Sequence, residues 1–470
     1  MGSRRLAVTV MCVGYFLVLL DVSIVNVALP GIGRDLRAGV GALQWTVDAY
    51  AVALAALMLT AGTLGDLYGH KRIVLAGLAL FGAGSAGCAL APTAGVLIGF
   101  RALSGIGAAL LLPGTLAIIT RAVPGRREQA RAIGVWAGVG SVALPAGPVL
   151  GGALVDGPGW RWVFWINVPI VLVAALVTAR VITESREPAR RRPDVRGMVV
   201  GALALVTIVD AIVSHDSWIP VVPAVAFLLL FIAAESRVAA ESRVAGPTEG
   251  TGTDPAPEPM LPLALLRERG FLVANAAAGA MNLGTLGLLF VVTLFLQRVQ
   301  GRSALAAGLA LLPLFLPLSV LAPIAGRMTA RFGPRRPMAA GLLVAAAGAA
   351  LLIFAGKLVL TPGLLLWGVG LGVLTPAVVA AAVRSVPEDR AGLASAANNT
   401  ARQAGGAVGI AAYGALAGDP GAGGFVGGLH LVSAITAALF AVTAVIVLLT
   451  IDRGHAERAE YPEKSDVSAG

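Results

Sequence analysis

Apolar runs of about 20 residues recur from one end of this chain to the other, each long enough to cross a bilayer as a helix. Lipid offers no hydrogen bonds to an exposed backbone, so each run must satisfy its own N–H and C=O groups as a helix. The runs place spans at 7–30, 46–65, 73–91, 95–120, 131–155, 162–182, 197–214, 219–235, 270–296, 304–326, 338–356, 362–383, 392–416 and 426–451. The expected fold is therefore an all-α polytopic membrane protein with 14 spans. Charge agrees: only 13% of the residues are Asp, Glu, Lys or Arg, against roughly 25% in soluble proteins.

The start of the chain, with Arg4 and Arg5 before an apolar run, looks like a signal peptide. That run is too long for a signal core and contains Asp21, so it reads as a retained first helix. Cys12 and Cys88 both fall inside spans, so neither a disulfide framework nor a metal site is expected. The net charge of +10 raises the question of nucleic acid, but the arginines fall in short segments between apolar runs, which excludes it. Lysine occurs only at 71, 357 and 464, a composition that fits a GC-rich bacterial genome and hence a bacterial inner membrane.

Those arginines also orient the chain. With a cytoplasmic N-terminus, GDLYGHKR, RAVPGRREQAR, RVITESREPARRRPDVR, RMTARFGPRRP, RSVPEDR and the tail all face the cytoplasm. The opposite loops, at 92–94, 156–160, 214–220 and 417–425, are short and Arg-poor, with Arg34, Arg37, Arg298 and Arg302 as the exceptions. Both termini are then expected to be cytoplasmic. Residues 236–262 carry a small ESRVA repeat, then Pro, Gly, Thr and acids, and read as a disordered cytoplasmic linker.

An internal repeat organises the rest. Gly62, Gly69, Arg72 and Gly77 align with Gly326, Gly333, Arg336 and Gly341; Gly105, Gly107, Pro113 and Arg121 align with Gly368, Gly370, Pro376 and Arg384, at almost the same offset. The chain therefore reads as two six-helix bundles of the same orientation, residues 1–185 and 266–452. Two extra helices (186–235), a linker (236–265) and a tail (453–470) complete it. Parallel repeats put a substrate path at their interface near the midplane.

Several residues stand out against that frame. Asp21 is a carboxylate inside a span, which is expensive and marks a functional site by default. It can load and release a proton as its surroundings change. Ser23 and Asn26 share a helix face and are candidates to line a polar cavity. Asp48 reads either as a second proton or cation group or as a water-exposed mouth residue. Asp210, in an extra span, reads as structural. Gly65, Asp66, Gly69, Lys71 and Arg72 form a tight turn, with Asp66 amid cations as a charge latch. Residues 138–155 are rich in glycine with Pro145 and Pro148; this is either close packing or a helix seam that rocks. Trp136 is a candidate cavity wall, and Trp160, Trp162 and Trp165 are cavity walls or interfacial belt residues. Asn398, Asn399, Arg402 and Gln403 read as inside-end packing or cavity lining.

LDVSIVNVALP, GDLYGHKR, RALSGIGAALLLPG, AGPVLGG (with Gly147, Pro148, Gly151 and Gly152), GWRWVFWINVP and NNTARQAGGAVGIA together resemble the major facilitator superfamily, in its fourteen-helix drug:proton antiporter branch. The resemblance implies proton-coupled export of hydrophobic drugs or antibiotics. It implies that Arg101 partners Asp21 in proton coupling and that Asp66 reaches the start of the thirteenth span. Spans nine to fourteen lack the acid some relatives carry, which implies lipophilic neutral or monocationic cargo. Protons and the bilayer are the other expected partners, with a monomer as the working unit and no cofactor. An importer of a small polar nutrient or ion on the same fold is the alternative. An ATP-driven pump or membrane enzyme is excluded by motif: there is no G-x-x-x-x-G-K-[ST], HExxH or nucleophile elbow.

Overall fold

The computed structural model describes residues 2–123, 125–184, 195–214, 219–244, 265–354, 357–387 and 390–451. The N-terminal helices are α1 (Gly2–Asp35), α2 (Val40–Tyr68), α3 (His70–Leu90), α4 (Ala94–Ala122), α5 (Arg126–Asp156) and α6 (Trp162–Val181). The middle pair is α7 (Val195–Val213) and α8 (Val221–Val244). The C-terminal six are α9 (Arg269–Leu294), α10 (Ala304–Phe332), α11 (Arg335–Leu352), α12 (Lys357–Arg384), α13 (Ala391–Ala417) and α14 (Phe425–Thr450). Among the described residues there is no strand.

Each expected span has its helix, and among the described residues 13 helices are long and apolar enough to cross a membrane. The remaining one, α13, is diluted by Asn398, Asn399, Arg402 and Gln403, yet it runs 27 residues between other helices. Helices outrun their apolar cores where polar residues continue the turn: α1 passes Pro30 and ends at Asp35. For the same reason α8 continues through the first ESRVA unit to Val244, which corrects the expectation that the linker begins at 236. Residues 245–264 and the tail from 452 lie outside the described residues.

The sequence repeat is a structural one. In the N-terminal half, Gly77 of α3 and Gly107 of α4 cross so closely that a Cβ on either would press on the other's carbonyl oxygen. In the C-terminal half, Gly341 of α11 and Gly370 of α12 make the same crossing. Likewise Gly105 lies on the backbone of α2 at Tyr50, and Gly368 on the backbone of α10 at Leu314. Backbone-to-backbone approach of this kind is the usual means of holding helices together in lipid, where apolar side chains gain nothing by leaving the tails.

The halves meet along two seams that correspond under the repeat, α5 against α10 and α2 against α13. The extra helix α7 lies over the second seam, with Val209 packed among Ala51, Val52, Ala407 and Ala411, and α8 packs outside α7. We name the two membrane faces by residues: the Asp35 end, where α1 stops and α2 starts, and the Asp66 end, where α2 stops and α3 starts.

The α5–α10 seam is closed at the Asp35 end. There Gly152 meets the backbone of Ala304 and Leu305, and Gly308 meets the carbonyl of Pro148. Midway, the Ser319 hydroxyl donates to the Ser141 carbonyl oxygen at 2.5 Å. Towards the Asp66 end, Gly134, Ala137 and Gly138 continue the same face of α5 but are exposed, as are Pro323 and Ala330 on α10. The seam is a wedge that opens towards the Asp66 end.

Leucine at position 152 should therefore be destabilising by about 1–3 kcal/mol, the cost of forcing side-chain bulk into a packed contact. Leucine at 138, where an added Cβ has no neighbour within 4 Å, should leave stability within about 0.5 kcal/mol. Thermal unfolding of the two variants in detergent checks the contrast; equal stabilities would contradict the wedge.

Candidate transport site

Arg101 of α4 is 1% exposed, as is Asp21 of α1. One terminal nitrogen of Arg101 donates to Asp21 Oδ2 at 2.5 Å, and its Nε donates to the Thr46 carbonyl oxygen of α2 at 2.9 Å. The guanidinium lies 4.5 Å from the ring centre of Tyr50 and 5.9 Å from that of Phe164. Tyr50 in turn donates its hydroxyl to the Val18 carbonyl oxygen. A cation buried in a bilayer needs partners on every side, and from its place on α4 this one draws them from α1, α2 and α6. The expected Asp21–Arg101 pair is thus present, as the central tie of the N-terminal half.

Asp48 is different. It is fully buried, and neither carboxylate oxygen makes a hydrogen bond among the described residues. Gln44 and Val52, one turn to either side, face α13: the Gln44 amide donates to the carbonyl oxygens of Ile410 (3.1 Å) and Ala411 (2.7 Å), and Val52 packs with Ala407 and Ala411. By helical phase Asp48 lies on that same stripe, in the seam between the halves and away from Arg101.

The glycines of AGPVLGG divide between two neighbours. Gly147 and Gly151 press on Ser23 and Ile24 of α1, whereas Gly152 and the Pro148 carbonyl serve α10. One helix is thereby fitted closely into its own bundle and against the opposite one. Ser23 is placed in the first of these contacts, its hydroxyl donating to the carbonyl oxygens of Leu20 (3.1 Å) and Ala143 (3.4 Å). Asn26 is buried, with Nδ2 donating to Val22 O at 2.8 Å and Oδ1 unmatched. Asn398 is buried against Asn275 of α9 at 3.5 Å.

Further polar links cross between the halves at the Asp35 end. Both oxygens of Asp156, at the close of α5, accept from the Ala304 and Leu305 N–H groups that begin α10, at 3.0 and 2.8 Å. A carboxylate suits that helix N-terminus, whose N–H groups lack partners in their own helix. Beyond α9 the helix widens into a π-turn, Phe295–Val299. From it Gln297 donates to Val27 O (2.9 Å) and Arg298 to Pro30 O (3.0 Å), both on α1. Arg298, an exception to the charge pattern, is thereby employed as a tie. Asp35 itself holds Trp160 at 3.0 Å and pairs with Arg161, while Trp162 is half exposed.

The turn at the Asp66 end needs its glycine. Gly69 has φ +98°, a conformation that side chains disfavour, and its N–H caps α2 on Gly65 O. Asp66 binds His70 at 3.1 Å and Arg121 at 3.5 Å, both in its own half. Among the described residues Asp66 makes no bond to the start of α13. Lys71 donates to Ala179 O at 2.7 Å, and its N–H to Glu184, which also pairs with Arg72 at 3.6 Å.

Trp136 stacks on Tyr15 of α1, with ring centres 3.8 Å apart and planes 16° from parallel. Its indole nitrogen is buried without a hydrogen bond among the described residues. Arg402 of α13 lies within electrostatic reach of Tyr15, and its Nε is likewise unmatched.

Residues 11–410 match the Major Facilitator Superfamily. The chain belongs to that family. Multidrug resistance protein Stp of Mycobacterium tuberculosis (strain CDC 1551 / Oshkosh) is 34% identical over 415 residues, 86% of this chain and 74% of the relative. Tetracenomycin C resistance and export protein of Streptomyces glaucescens is 33% identical over 417 residues, with the same coverage. Methylenomycin A resistance protein of Streptomyces coelicolor is 31% identical over 437 residues, 88% of this chain and 87% of the relative. Among solved structures, a peptide transporter POT in complex with sulfate matches with TM-score 0.69 at 15% identity, covering 96% of this chain and 94% of that one. An inward-facing bacterial homolog of the lysosomal transporter Spinster matches with TM-score 0.68 at 16% identity, covering 95% and 97%. These two likenesses establish the fold. This facilitator is a multi-pass membrane transporter and not an enzyme.

Tyr15, Gln44, Asp156, Glu184 and Gln297 escaped the sequence reading. Asp156 and Glu184 sit at helix ends, where acids are unremarkable, and Tyr15, Gln44 and Gln297 show no depth or charge anomaly. The weak signal was polarity next to a glycine-rich neighbour, as with Tyr15 against Gly140.

Removing one member of the buried pair should cost about 3–5 kcal/mol, since it strands the other charge. Asp21→Asn and Arg101→Gln should each unfold at lower temperature than the double variant carrying both; single variants as stable as the parent would contradict the pairing.

Proposed function

We propose that this facilitator exports hydrophobic drugs or antibiotics in exchange for protons. The export reading comes from the relatives named for drug resistance and export. The observation that carries proton coupling is Asp48, a carboxyl with no partner inside the seam. Ionising it there would strand a charge in the bilayer interior, a cost of several kcal/mol. Protonated, it lets α2 and α13 close; ionised, it demands water and favours opening at the Asp35 end. Asp21 and Arg101 are coupled to the same step by the Arg101–Thr46 hydrogen bond, which joins the charge pair to α2 two residues before Asp48.

The Asp66 end is cytoplasmic in this reading, because the Arg-dense segments lie there. Both termini are then cytoplasmic. The wedge is an inward-open state, ready to take cargo from the cytoplasm or inner leaflet. Closing it brings the start of α13 towards Asp66, whose carboxylate suits that helix terminus. Asp156, Gln44, Gln297 and Arg298 release as the other end opens. This is alternating access between two rigid bundles, worked by a single copy of the chain.

Expression in a pump-deficient bacterial host with a broad antibiotic panel tests the proposal. Resistance to at least one lipophilic compound should appear and vanish with a proton uncoupler. Asp48→Asn should reduce it to the level of the empty host while the protein stays in the membrane. Resistance to nothing, or resistance indifferent to the uncoupler, would contradict the proposal.

A further inference from the structure

Arg402 lies about 16 Å along α13 from Ala391, at the helix rise of about 1.5 Å per residue, and so near mid-membrane. A guanidinium stays charged at any accessible pH, so its charge needs an answer inside the bilayer. Among the described residues no carboxylate supplies one: Asp21 is taken by Arg101, and Asp48 makes no ion pair. Nε of Arg402 makes no hydrogen bond. The group in electrostatic reach is Tyr15, from the opposite half.

Tyr15 is itself built in. Gly140 leaves the space its ring occupies, since a Cβ there would run into the ring. Trp136 lies parallel on it, with an unmatched indole N–H. One place between the halves thus combines a cation without a counter-charge, an N–H donor without an acceptor, and a stacked aromatic pair. Flat rings stack on such a pair, and a guanidinium pairs with a carboxylate through two parallel hydrogen bonds.

We propose that the cargo of this transporter is a planar aromatic anion: a fused-ring carboxylate or phenolate whose acidic group meets Arg402 and whose rings lie against Tyr15 and Trp136. The inference rests on the export reading and refines it. The expectation of neutral or monocationic cargo came from the missing acids of spans nine to fourteen; the unanswered cation on α13 reverses its sign. Exchange of an outgoing anion for an incoming proton moves both charges in the direction an inside-negative potential favours, so the chemistry suits the proposed driving force.

Three probes that share one ring system and differ in charge test it: 2-naphthoate, 2-naphthamide and 2-naphthylmethylammonium. Binding is measured by calorimetry on the purified full chain, and proton-driven uptake in everted membrane vesicles. The parent should bind the naphthoate about tenfold or more tighter than either other probe, the scale of one charge-assisted hydrogen bond. Arg402→Gln should abolish that preference while binding of the amide stays within about threefold; Arg402→Lys should retain part of it. Trp136→Leu should weaken all three probes together, which separates stacking from charge. Preference for the ammonium, equal binding of all three, no binding of the naphthoate, or a preference that survives Arg402→Gln would overturn the inference. Selective naphthoate binding without proton-dependent uptake would support it and overturn the export reading. Proton-driven uptake that favours the amide or ammonium would do the reverse.

Discussion

A charged side chain in a bilayer must be answered or it must be used, and this fold contains both cases. Arg101 is answered from all sides, by a carboxylate, a backbone carbonyl and two aromatic rings. Because those partners come from three helices and the arginine from a fourth, the N-terminal half has little freedom to rearrange internally without exposing the charge to lipid. The C-terminal half reaches rigidity by different means. Among its described residues it has no such pair, and it is held by backbone approaches at Gly279–Gly405, Gly287–Gly409 and Gly341–Gly370. Two stiff bodies then share seams whose ties gather at one end.

Those ties share a physical character. All four bond to backbone groups of the opposite half: Asp156 to the open N-terminus of α10, Gln297 and Arg298 to carbonyls at or within a turn of Pro30 in α1, and Gln44 to carbonyls in the last third of α13. Such bonds contribute about 0.5–1.5 kcal/mol each, more where a charge takes part. That suits a gate, which must hold and also release. Asp48 lies among them with no bond, and so is the group whose state can tip the balance. The extra pair α7–α8 covers the same seam from outside, and Val209 follows whatever α2 and α13 do there.

Much of this was legible in the residues. Hydropathy located fourteen helices, and glycine spacing revealed the repeat whose crossings the structure displays. The family resemblance paired Arg101 with Asp21, and the two are hydrogen-bonded in the structure. What hydropathy could not reveal was azimuth. Ser23 and Asn26 share a face, but whether it looks at α5 or at a cavity depends on which helix Gly147 admits. Asp66 illustrates another limit: its partner depends on conformation, and a motif carries the partner of one state only. The linker boundary failed because Glu and Arg end a span without ending a helix, so α8 runs on to Val244. Arg402 was visible as polar residue in a span, yet its lack of a counter-charge emerges only when every neighbour is placed.

The central claim is that protonation of one seam carboxyl selects which end of the wedge is shut. Spin labels at Ala137 and Ala330 report the Asp66 end, and labels at Pro158 and Asp419 the Asp35 end. Double electron–electron resonance on both pairs in lipid nanodiscs, from acidic to alkaline buffer, measures the claim most directly. The account predicts that alkaline buffer shortens the first distance and lengthens the second, and that Asp48→Asn holds both at their acidic values. Distances that ignore pH, or that still shift in the Asp48→Asn protein, would contradict it.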